Sequence, residues 1–256
     1  MQENADNRTL EAIEAALTQR YVLKKRANLT ISMLIAVLGL TSFLYGLRLE
    51  SMPTIFRWLT VDGTLFTTIS AILCIGVNLL EVLRNTELTR RSVYYLRLSS
   101  AVAESVILLV VLFSQLPLFP EHLPLLDRYD SFVMHVLVPL LGVESFLIND
   151  SPIGRLKPGQ RWQGTLFVSC YGVTILTLIS TGLLPPELIP YPFLNYREKG
   201  WGVFLAAFVF VYGCGYLMAW GISEGNRKLS WLWFKGITHG QGSAAGDTNS
   251  NKDAHL

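Results

Sequence analysis

Two side chains in this sequence have the types and placement to do covalent chemistry: His135, inside the apolar stretch Ser131 to Ile148, and Thr60, at the start of an earlier apolar stretch. An imidazole beside hydrocarbon is costly, so an ionisable residue inside an apolar segment is by default a functional candidate. A threonine hydroxyl is a poor nucleophile until a base removes its proton. Histidine is the usual base, because its pKa lies near neutrality. If the two residues meet, the chemistry they offer is acyl transfer through threonine. Each also has a structural reading. A threonine in an apolar helix often bonds back to a carbonyl one turn earlier, and a histidine can bridge two helices.

The remaining polar candidates are Asp62, Glu81, Arg97, Glu104 and Glu144, all in or beside apolar segments. Arg97 and Glu104 share a helix face, and Arg97 is expected to pair with Glu81 or Glu104 across the interior. Glu144 lies nine residues after His135, nearly half a turn off its direction. Pro139 lies between them and is expected to bend the helix. Glu144 is therefore expected to hold helices together rather than to orient the imidazole. Asp62 is two residues from Thr60 and should point elsewhere. Thr60, Thr64, Thr67 and Thr68 form a hydroxyl stripe, either a close-packing face or the polar wall of a pocket, with Gly63 allowing close approach.

These residues need apolar helices to position them. The chain has 256 residues, 51% hydrophobic and 16% charged, with a mean hydropathy of +0.39. Soluble domains carry about 25% charged residues, so the fold class is all-α: a polytopic membrane protein with six spans in one bundle. The spans are expected at about 29–47, 53–83, 93–116, 131–148, 162–184 and 201–222, each long enough for about 30 Å of hydrocarbon. Residues 1–27 read as a cytoplasmic segment with an amphipathic helix and no continuous apolar leader. Residues 28–236 form the membrane domain, and 237–256 a Gly-, Ser- and Asn-rich disordered tail.

Basic residues concentrate in the N-terminal segment, in loops 84–92 and 149–161, and in the tail. The positive-inside rule then puts both termini in the cytoplasm of a multi-pass cell-membrane protein. Thr60 and His135 both fall near the outer boundary. The net charge of +2 gives no footprint for nucleic acid. Cys74, Cys170 and Cys214 have neither disulfide nor zinc spacing and read as small buried hydrophobes. No metal or cofactor is expected.

Three stretches resemble the androgen-induced and androgen-dependent (tissue-factor-pathway-inhibitor-regulating) membrane proteins, and still more their bacterial six-helix relatives. They are Phe56-Arg-Trp-Leu-Thr60; Met134-His135 with Pro139 and Glu144; and Tyr191-Pro192-Phe193-Leu194 with Gly200 and Trp201. The resemblance implies a threonine hydrolase of fatty acid esters of hydroxy fatty acids, with Thr60 as nucleophile and His135 as base. Where the family often carries an Asn after the threonine, this chain has Gly63-Thr64, which implies altered activity or a different substrate. Thr64, Tyr191 and Trp58 are expected to line the substrate site, with Asp62, Glu144, Arg97 and Glu104 supporting it. The rival readings are a proton-coupled transporter using the buried acids, and a non-catalytic sensor or assembly protein.

Overall fold

A computed structural model of the chain describes residues 2–50, 54–84, 91–115 and 127–250, without the side chains of 2–18, 20, 82, 114, 115, 192 and 234–250. The described residues are all-α, with no strand. The six main helices are α1 (Gln2–Gly46), α2 (Leu59–Arg84), α3 (Arg91–Val110), α4 (Val138–Asn149), α5 (Leu166–Thr181) and α6 (Trp201–Ser250). Six helical stretches are long and apolar enough to cross a membrane: Tyr21–Gly46, Leu59–Glu81, Arg91–Phe113, Tyr129–Asn149, Pro158–Thr181 and Trp201–Trp233.

The ends of these helices differ from the sequence expectation in ways with physical causes. Within the expected second span a 3-10 turn, Thr54–Arg57, comes first, and α2 starts at Leu59. Ser51 and Pro53 lie outside the described residues. The first helix is unbroken from Gln2, so the amphipathic segment and the first span are one element. At the other terminus, α6 continues to Ser250, past the expected start of the tail. Extending an existing helix adds one hydrogen bond per residue fixed, a far lower demand than nucleating a new one. Residues 251–256 lie outside the described residues.

The fourth apolar stretch leaves regular α-helix just ahead of Pro139. One α turn, Tyr129–Phe132, leads into a π turn, Val133–Leu137, and then α4. Proline has no N–H, so the carbonyl of His135 loses its usual donor four residues on. The wider turn that results carries His135, and π turns of this kind recur at functional sites.

The buried core centres on α3. Leu98, Val102 and Ala103 are fully enclosed and cluster with Tyr94, Phe146 and Ala219. One end of the bundle is tied by charge. Arg97 is 2% exposed; its Nε donates to Asp150 Oδ2 at 3.1 Å and its Nη2 to Ser145 Oγ at 2.7 Å. Asn226 Nδ2, from α6, meets the carbonyls of Phe146 at 2.9 Å, Leu147 at 3.2 Å and Asp150 at 2.8 Å. The last carbonyls of a helix have no partner within it, so Asn226 closes the end of α4. Lys25 pairs with Glu81 between α1 and α2.

Candidate functional site

The opposite end of the bundle holds the candidate chemistry. Thr60 is the second residue of α2 and is buried. On a helix it shares a face with Thr64, Thr67 and Ala71. Ala71 clusters with Val133 and Val138, while Val61 clusters with Met134. The turn carrying His135 therefore packs along the N-terminal half of α2.

Thr60 takes its partner from the 183–195 loop. The half-buried Tyr191 brings its hydroxyl to the Thr60 hydroxyl and to the N–H of Leu59. Leu59 opens α2, so its N–H has no partner within the helix. Burial pushes the Tyr191 phenol up to about 12, and the bonds from Thr60 and Leu59 offset this in part. The phenol is thus a hydrogen-bond donor at any physiological pH. Trp58 braces it, edge to face at 6.1 Å. The indole N–H of Trp58 donates to Glu50 at 3.2 Å, and Arg57 lies over its ring at 4.9 Å.

His135 is half-buried, and both of its hydrogen bonds run through Nδ1, to the Ser131 carbonyl at 2.8 Å and the Ser131 hydroxyl at 3.2 Å. A carbonyl only accepts, so Nδ1 carries the proton and Nε2 keeps its lone pair. That is the tautomer a general base needs. No hydrogen bond joins His135 to Thr60 among the described residues. The two are positioned separately, one by Ser131 and one by Tyr191.

The other expected residues fall as follows. Thr64 is fully buried, and its hydroxyl has no hydrogen-bond partner among the described residues. Its methyl faces Gly39 of α1, so it belongs to helix packing. Gly63 does not leave space for a ligand, because Ile107 and Phe167 occupy the volume a side chain would fill.

Arg97 pairs with neither Glu81 nor Glu104, contrary to expectation. Side chains lean toward the N-terminus of their own helix, which aims Arg97 at Asp150 and away from Glu104. Glu104 is fully buried, packed beside Thr67 and Gly142, with no cation beside it among the described residues. Glu144 is exposed and makes no hydrogen bond or ion pair among the described residues, so it does not hold helices together. Ser145 and Asn226 do that instead. Cys170, expected to be buried, is exposed.

Asp62 lies two residues after Thr60 in the first turn of α2. It lines a cavity of about 640 Å³ between α2, α5 and residues 183–188. Tyr171, which the sequence reading passed over, ties the cavity to the residues that lead into α2. Its hydroxyl donates to the Arg57 carbonyl at 2.6 Å, just before α2 begins. A lone tyrosine inside the run FVSCYGV carries no signal until the fold shows what it reaches.

Among the described residues no group of three or more His, Cys, Asp or Glu gathers as a metal site would. No protein-family model matches the sequence, and neither a curated protein nor a solved structure matches it.

Proposed function

We propose that the chain is a multi-pass membrane hydrolase of lipid esters, with Thr60 as nucleophile and His135 as base, both near the outer face of the cell membrane. The observation that carries this reading is the bond from His135 Nδ1 to the Ser131 carbonyl, which leaves Nε2 as a proton acceptor on the turn packed along α2. The resemblance of the Thr60, His135 and Tyr191 stretches to the androgen-induced family supports the same pair.

In the proposed reaction, Nε2 takes the Thr60 proton as the threonine oxygen attacks the ester carbonyl. The imidazolium returns the proton to the departing alcohol, leaving an acyl-threonine. Water, deprotonated by the same nitrogen, releases the fatty acid and restores the hydroxyl. The Tyr191 hydroxyl is a donor beside the nucleophile, and a donor aimed at the developing oxyanion is commonly the largest contribution to such catalysis.

Labelling of the full chain by a fluorophosphonate probe tests the proposal. Thr60→Ala should lose the label while the protein stays folded. Undiminished labelling removes Thr60 from the role.

One observation favours a second reading. Glu104 is a fully buried acid without a counter-charge among the described residues, and such residues mark ion pathways in transporters. Flux in proteoliposomes that depends on Glu104, without esterase activity, would select that reading instead.

A further inference from the structure

The cavity between α2 and α5 has a chemistry of its own. Four aromatic side chains line it, Phe56, Phe66, Phe167 and Tyr171, together with the carboxylate of Asp62. Phe66 and Phe167 stack at 4.4 Å, with ring planes 11° apart. Leu65, Ile69, Ile175, Leu178 and Leu183 supply an aliphatic wall. Several lining residues are exposed, Ile69 at 48% and Leu183 at 73%, so the cavity opens sideways from the bundle. Its volume lies within the range of small-molecule sites.

The charges around it do not cancel. Arg57 also lines the cavity, but its Nη2 is paired with Glu50 at 3.0 Å and its guanidinium lies over Trp58. The Tyr171 hydroxyl spends its proton on the Arg57 carbonyl. The Asp62 side chain makes no ion pair and no hydrogen bond among the described residues. Glu50 and Arg57 offset each other, so the acidic group of Asp62 remains, in a cavity lined by aromatic rings. Ring faces attract cations, and aromatic cages are the usual means of holding organic ammonium groups. A carboxylate beside them selects a positive head over a neutral one and rejects an anionic one.

We propose that this cavity binds a single-chain amphiphile with an ammonium head, the nitrogen at Asp62 among the aromatic rings and the chain along the aliphatic wall of α2 and α5. The site is separate from Thr60 and His135, and its occupancy does not depend on ester hydrolysis.

Equilibrium dialysis of the full chain in maltoside micelles, with labelled dodecyltrimethylammonium below its own micellar concentration, tests the proposal. Saturable binding of about one molecule per chain is expected. Asp62→Asn should weaken it about tenfold, the equivalent of 1.4 kcal/mol. Laurate of equal chain length should not displace the probe. Leu178→Trp, which fills the aliphatic wall and leaves the charge in place, should abolish binding. Thr60→Ala should leave binding unchanged, which separates this site from the hydrolase reading. Unsaturable partitioning, equal binding by Asp62→Asn and the parent chain, or displacement by laurate would each overturn the proposal.

Discussion

The imidazole of His135 donates from Nδ1 to the carbonyl oxygen of Ser131 at 2.8 Å, one turn earlier on the same segment. This bond fixes the ring's tautomer before any substrate arrives. Pro139 reinforces it from the other side by opening the helix into the π turn on which the ring sits. His135→Asn keeps a donor for Ser131 but has no basic nitrogen. It should lower ester turnover about 10²- to 10⁴-fold with little change in melting temperature, measured on the same purified preparation.

Tyr191→Phe separates two roles of one phenol. In the fold its pKa is raised from 10 to about 12 by burial. The folded chain therefore holds this proton more tightly than the unfolded chain does. That contribution is whole below pH 10 and is lost as the pH rises through about 12. Denaturation midpoints recorded across this alkaline window should fall more steeply for the parent than for Tyr191→Phe. At neutral pH the variant should show slowed turnover, from loss of a donor beside Thr60.

Arg97→Ala leaves Asp150 without its cation and Ser145 without its donor. Breaking a buried pair from one side costs about 3–5 kcal/mol. Thermal unfolding in detergent should show a large loss, or no folded protein should be recovered. Asp150→Asn, which retains an acceptor for Nε, should cost less.

Asn226→Ala uncovers the carbonyls of Phe146, Leu147 and Asp150. Unsatisfied buried acceptors cost about 1–3 kcal/mol. Amide hydrogen exchange should show faster opening at the C-terminal end of α4, with the turn around His135 protected as before.

The six long apolar helices were legible in the sequence because apolar runs act over many residues at once. The pairing of Arg97 was not legible, because Glu81, Glu104 and Asp150 all satisfy the same chemical need and only side-chain lean decides among them. Tyr171 and Asn226 were missed for a related reason. Each acts on backbone atoms of a distant segment, Arg57 in one case and Phe146 in the other, and backbone partners leave no mark in residue types. Glu144 shows the converse error, in which a charged residue type implied a partner that the fold does not provide.

The last helix runs without interruption from Trp201 to Ser250 and is pinned near its midpoint by Asn226. At about 1.5 Å per residue that makes a rod of roughly 75 Å with a fulcrum part-way along. Tyr196 stacks on Trp201 at 4.3 Å, which ties one tip to the segment that follows Tyr191, and Ala219 and Ile222 seat the same rod in the core around Leu98.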